Sequence, residues 1–259
     1  GDLLRFWRQQ RRMSQLDLAC EAEISTRHLS FIETGRSVPS REMVLHLAEF
    51  LEIPLRERNL MLTAAGYAPF YTEKSLDDRE LEAARKTVEL ILTGHEPFPA
   101  MAIDRHWTLV KANRAVKPLM AGVAPFLLEA PVNVLRLTLH PEGLANRIVN
   151  YAEWRSHLLE RLHRQIEVSA DAVLMKLLEE FSGYPAPDGQ TRAPVKSLSS
   201  AMAVFFRLRM GEQTLSFIST TTVFGTPVEI TLSELAIESF FPADRETAES
   251  LALTSSPVH

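Results

Sequence analysis

Cysteine is almost missing from this chain, Cys20 being the only one. That excludes an intramolecular disulfide framework and any metal site built on several thiolates. Cys20 itself is expected to be a small buried residue rather than a redox sensor. No run approaches eighteen consecutive apolar residues, so the sequence offers no membrane span. The opening, GDLLRFWRQQRR, is too charged for a signal-peptide core, and a cytoplasmic location is the default expectation. The same stretch reads like the interior of a helix, so native residues are expected before Gly1. Also missing are G-x-S-x-G, a Gly-rich phosphate loop and H-E-x-x-H. His157 and His163 lie six apart on one helical stretch, hence on different faces, which does not suit a shared metal. These absences argue against an enzyme, a bound metal or a cofactor. A basic surplus is lacking too. Residues 1–66 carry nine Arg and no Lys against nine Asp plus Glu, and the rest of the chain accounts for the whole net charge of −5. Nucleic-acid binding would therefore depend on locally placed charge.

What is present begins with helical spacing. Leu3, Leu4 and Trp7 form a stripe among Arg5, Arg8, Arg11 and Arg12. Ser14 caps a second helix, Gln15 to about Ala22, with Leu18 and Ala19 facing inward. After the turn Glu23-Ile24, Ser25 caps a third, in which Leu29 and Ile32 face the core and Gly35 ends the helix. Pro39-Ser40 opens a fourth with Met43, Leu47 and Phe50 at helical spacing, and a fifth runs from Leu55 to Ala65. These five helices predict a small all-α domain over residues 1–66.

Residues 67–94 read as a linker and connecting helix, amphipathic through Leu81, Ala84, Val88 and Ile91/Leu92. Over 95–259 the pattern changes. Met101–Ile103 and Trp107–Leu109 alternate like strands. Short helical pieces broken by prolines fill 113–148, and two longer helices occupy about 150–166 and 170–181. Met202, Val204, Phe206, Leu208 and Met210 mark one face of a strand, turning at Gly211-Glu212-Gln213 into a second. Val228, Ile230 and Leu232 alternate as another, Leu235–Phe241 as the last, before a short helix from Ala243 to Leu251. Two strands, a helical insert and about three strands predict an α+β domain with one, mainly antiparallel sheet.

The functional signal is concentrated in SQLDLACEAEISTRHLSFIETG. Two short helices joined by a tight turn, with Ala19 at their close approach, form a helix-turn-helix. The second helix of such a pair can lie in the DNA major groove with its N-terminal side chains against base edges. This stretch resembles the lambda-repressor/Cro-like, or Xre-type, regulators over roughly residues 2–66. STRHLSFIETGRSVPSREM looks like the MmyB-like subgroup of these. The resemblance implies a phosphate contact for Gln15, base contacts for Ser25, Thr26, Arg27 and Phe31, and a backbone contact for Arg36. It also implies a structural ion pair between Arg8 and Glu33. Arg27 suits guanine O6/N7, and the Phe31 ring suits a thymine methyl; the other reading of Phe31 is packing on the fourth helix. One departure is Glu23, where the family often has a left-handed Gly, at a cost of about 1 kcal/mol.

PAMAIDRHWTLVKANRAV, NVLRLTLHPEGLANRIVNYAEW and TTTVFGTPVEITLSELAIESFFPADRETAESL resemble the PAS-like second domain of MmyB-like regulators. That resemblance implies a small, fatty-acid-like ligand. The sequence adds a very apolar, proline-broken insert at 115–139, able to leave a cavity over one sheet face. Candidate ligand-binding residues are Asn113, Arg136, Trp154 and His157; the other reading of Arg136 is a solvent-side residue or a partner of Glu142, and that of Trp154 is plain core. The function expected is a homodimeric DNA-binding transcriptional regulator whose partners are double-stranded DNA and a small apolar molecule. The alternative is an antitoxin-like protein-interaction module without a ligand.

Overall fold

The computed structural model describes residues 1–76, 78–187, 204–225 and 229–255. Two compact units result, the body of the first being Gly1–Lys74. It contains α1 (Asp2–Gln10), α2 (Gln15–Glu21), α3 (Thr26–Glu33), α4 (Arg41–Phe50) and α5 (Leu55–Ala64). Serine caps start three of them. Ser14 Oγ accepts from Asp17 N and the Asp17 carboxylate accepts from Ser14 N, a capping box; Ser25 accepts from His28 N and Ser40 from Met43 N. The core joins Leu4, Trp7, Leu18, Ala19, Leu29, Ile32, Val44, Leu47 and Leu62. Three expectations shift by a residue or a face. Leu3 and Phe50 are exposed, their places inside being taken by Leu4 and by Val44 and Ala48. Cys20 is exposed as well, because buried Leu18 and Ala19 define the inner face of α2.

In the second unit, α6 (Glu82–Gly94) follows a 3₁₀ turn at Arg79–Leu81. The strands β1 (Ala100–Ile103), β2 (Leu109–Ala112), β3 (Phe205–Met210), β4 (Gln213–Val223) and β5 (Ala236–Pro242) form one sheet in the order β2-β1-β5-β4-β3. Every pairing is antiparallel. β3 turns into β4 through Gly211-Glu212, Met210 pairing Gln213, and Gly211 has φ +62°. A positive φ at the first turn position suits the twist of a hairpin and selects glycine.

β1 is buried on both faces. Ala100 and Ala102 let Val88 and Leu92 of α6 approach, while Met101 and Ile103 join the larger core opposite. Over that core lie α7 (Val116–Leu119), a 3₁₀ turn at Pro125–Leu128, α8 (Val134–Leu139), α9 (Tyr151–Ser169) and α10 (Ala172–Ser182). Both outer strands are covered: Leu109 N donates to Val132 O, and Val149 N to Arg207 O. The expected strand at Val228, Ile230 and Leu232 is corrected. Ile230–Ser233 is a single helical turn (α11), whose Leu232 N donates to the Glu229 side chain. Met202 and Val228 lie outside the described residues. The last helix, α12, is Arg245–Ser255.

Candidate DNA-reading helix and ligand cavity

Glu23 has φ +52° in the turn between α2 and α3, the left-handed place that the sequence assigned to it. Ser25 is exposed at the cap of α3, Thr26 and His28 are half-buried, and Arg27 stands in solvent. Phe31 is half-buried and outside the core of its unit. Its ring is instead flanked by two cations, the Arg27 guanidinium at 5.3 Å and that of Arg36 at 5.9 Å.

Local chain chemistry explains why Arg36 arrives there. Gly35 has φ +72°, Gly35 N donates to Ile32 O and Arg36 N to Phe31 O. This Schellman closure folds the chain back over the last turn of α3. No atom would touch a Cβ at Gly35, so Gly35→Ala should cost about 1 kcal/mol through backbone strain alone. Thermal unfolding of the full chain measures that cost, and DNA affinity should fall with it as Arg36 loses its fixed position.

Behind the helix, Glu33 is buried and receives Arg8 Nε at 2.7 Å and Arg8 Nη2 at 2.9 Å. Gln15 Nε2 donates to the same carboxylate at 2.8 Å, while Arg8 Nη1 donates to Met13 O. Burial would push the Glu33 carboxyl up; the bonds from Arg8 and Gln15, with the charges of Arg8 and Arg5, bring it below its ordinary value. Gln15 thus has one amide proton tied to Glu33, and the backbone of α2 to α3 is tied to α1.

In the second unit, a cavity of about 60 Å³ lies between the sheet and its helical cover. Met101, Trp107, Leu119, Leu135, Leu158 and Phe206 supply much of its apolar wall. Two charges also line it, Arg161 and Glu238, and they are paired: Arg161 Nη2 lies 2.6 Å from Glu238 Oε1. Thr221 Oγ1 donates to the same oxygen at 2.8 Å.

Residues 84–253 match the MmyB-like transcription regulator ligand binding domain, and residues 1–64 match a helix-turn-helix domain. The chain belongs to the MmyB-like transcription regulators. It is a DNA-binding regulator with a ligand-binding domain, and both matched families are regulator domains. No curated protein matches the chain.

Of the four ligand-binding candidates in this MmyB-like regulator, only Trp154 lines the cavity. His157 stacks on it at 5.3 Å; burial lowers its basicity, as do Arg161 and Arg164. Asn113 does structural work elsewhere. Its Oδ1 accepts from Ala100 N, and its Nδ2 donates to Leu92 O and Phe98 O, joining α6 to β1. Arg136 pairs with Glu180 through two bonds of 2.6 Å, not with Glu142. Sequence reasoning missed Arg161 and Glu238. A usable signal was there: Arg161 stands seven residues after Trp154 on one helix face, and Glu238 interrupts the apolar AIESFFP. Among the described residues, no cluster could hold a metal ion, and no helix is long and apolar enough to cross a membrane.

Proposed function

We propose that this regulator binds its operator as a homodimer in the cytoplasm, with α3 of each protomer in the major groove. A small apolar or fatty-acid-like molecule in the cavity of the second unit modulates that binding. The observation that carries the DNA assignment is the surface cluster Arg27–Phe31–Arg36 on α3. Arg27 offers a bidentate donor to guanine, the Phe31 face meets a thymine methyl, and Arg36 meets the backbone. Ser25 and Thr26 extend the reading edge, and Gln15 keeps one amide proton for a phosphate. Residues 1–66 would be the DNA-binding domain, 67–94 the connection and 95–259 the ligand-binding domain. Two such helices fit successive major grooves about 34 Å apart.

The cavity supports an apolar ligand by its lining and sets a condition by its size. Its 60 Å³ is room for about two waters, against roughly 300–1,000 Å³ for small-molecule sites. A ligand larger than this displaces part of the lining, and it acts on DNA binding only through a difference in its affinity for two shapes of the domain.

The test is binding of the full chain to a palindromic operator across a salt series, with and without small molecules extracted from cells. Affinity should fall linearly on a log–log salt plot, as phosphate contacts demand, and the extract should change it. Salt-independent binding would instead favour a protein-interaction module.

A further inference from the structure

Most arginines of the five-helix unit spend their N–H groups inside the protein. Arg5 and Arg8 bond Glu33, Arg11 bonds Leu51 O, Arg56 bonds Glu73, and Arg58 bonds Ile53 O and Tyr71. Arg27, Arg36 and Arg41 do not. Among the described residues none of the three has a hydrogen-bond or ion-pair partner, and each lies on an aromatic ring. The first two share Phe31, whereas Arg41, at the start of α4, lies 4.8 Å from the ring of Phe70. Arg12 also has no such partner, but it lies on no ring. The Arg41 Nε is buried and unpaired while its two Nη groups are not buried, so the outer edge of the guanidinium faces the surface.

Phe70 is 53% exposed and outside the core of its unit, so burial does not account for its place. Asn59 on α5 fixes it. The Asn59 Oδ1 accepts from Phe70 N at 2.9 Å and from Tyr71 N at 3.0 Å, and its Nδ2 donates to Tyr71 O at 2.7 Å. Tyr67 OH donates to Pro39 O at 3.1 Å, two residues before Arg41. Residues 67–71 are thus clipped to α5 and laid against the start of α4, all within the first unit.

The surroundings suit an anion. Residues 34–41, TGRSVPSR, hold two arginines and no acid. Glu42, next in the chain, is held chiefly by its own amide and by the Ser40 side chain; the charge of Arg41 is the least of the causes that lower its carboxyl. Five residues of chain span at most about 18 Å, so Arg36 and Arg41 address one stretch of DNA backbone. A guanidinium stacked by its face keeps its N–H edge for a phosphate, and it has already given up the rotamer freedom that binding would cost.

We propose that Arg41 is a further DNA-phosphate contact and that Phe70 is its positioning residue, so that DNA affinity depends on residues 67–71 staying folded onto α5. This rests on the DNA-binding reading above and extends it from α3 to α4 and the segment beyond α5.

The test uses the full chain and a mixed-sequence duplex of about 30 base pairs across a salt series, since phosphate contacts need no operator. Arg41→Ala should lower the log–log salt slope by about one for each protomer bound, and Arg41→Lys, which keeps the charge, should restore it. Phe70→Leu should weaken binding about two- to fivefold at fixed salt, while Phe70→Tyr, which keeps the ring, should bind like the natural protein. In Arg41→Ala, Phe70→Leu should have no further effect. An unchanged slope in Arg41→Ala, where Arg36→Ala lowers it, would overturn the contact and leave the DNA-binding reading standing. An unchanged slope in both would bring down that reading and the inference with it. Phe70→Leu binding as tightly as the natural protein would overturn the positioning role. So would a loss in Phe70→Leu that persists in Arg41→Ala and accompanies a lower unfolding temperature, because Phe70 would then be a packing residue.

Discussion

Glu33→Ala should remove about 3–5 kcal/mol of stability from the helix-turn-helix unit, the cost of leaving a buried guanidinium without its partner. Arg8 cannot recover, because it is itself buried and its remaining bond is to Met13 O. Gln15 and Arg5 also face the missing carboxylate. Amide exchange in α1 and α3 of the full chain should rise together, since Glu33 is what ties them. Replacing both partners, Arg8→Met with Glu33→Leu, should return most of the loss, because desolvation of the pair offsets much of its attraction. A double variant as unstable as Glu33→Ala would show that packing, not charge, is responsible. The pH dependence follows from the depressed carboxyl of Glu33. Such a group contributes stability that is complete above its unfolded value of about 4.3 and disappears as pH falls through the lower folded value. Protection should therefore be flat from neutrality to mild acid and then drop more steeply in the natural protein than in the double variant.

The five N-terminal helices were legible because their signals are local. Ser14, Ser25 and Ser40 each cap a helix with their own side chain, and Gly35 closes α3 with its own backbone. Strand β3 was legible through period-two alternation, with Phe206 and Leu208 buried between exposed Arg207 and Arg209. Failure came where a short run fits two periods. Ile230 and Leu232 alternate like a strand, yet the Glu229 side chain accepts from Leu232 N and starts a turn of helix instead.

The site residues divide along the same line. Arg27, Phe31 and Arg36 are close in sequence, so helix spacing and one glycine suffice to gather them. Arg161 and Glu238 are 77 residues apart, and their meeting depends on α9 crossing the sheet. Asn113 and Arg136 were read as candidate ligand contacts, and each meets a protein partner instead. What sequence does not carry is the identity of the partner: backbone carbonyls of Leu92 and Phe98 for one, Glu180 for the other.

The arginines on either side of Phe31 should fail in different ways, and this is the sharpest check on how α3 meets DNA. Arg27→Ala should cost about 1–3 kcal/mol against the preferred operator and much less against operators altered at one base pair, because base readout is lost at that step. Arg36→Ala should weaken all sequences alike and reduce the salt slope by about one, the mark of a phosphate contact. Phe31→Ala adds a third pattern. Since the ring has no hydrogen bond to offer, its contribution is contact with a methyl group, and replacing the contacted thymine by uracil in the operator should cost the natural protein what Phe31→Ala costs. In Phe31→Ala that base change should then have no further effect. The flanking cations make this test strict. Each guanidinium sits 5–6 Å from the ring centre, at 5.3 and 5.9 Å, so the ring orients both. If Phe31 served only to hold them, Phe31→Ala would mimic the two arginine variants together and remain as sensitive to uracil as the natural protein. Wild-type operator affinity in both Arg27→Ala and Arg36→Ala would remove α3 from the groove altogether.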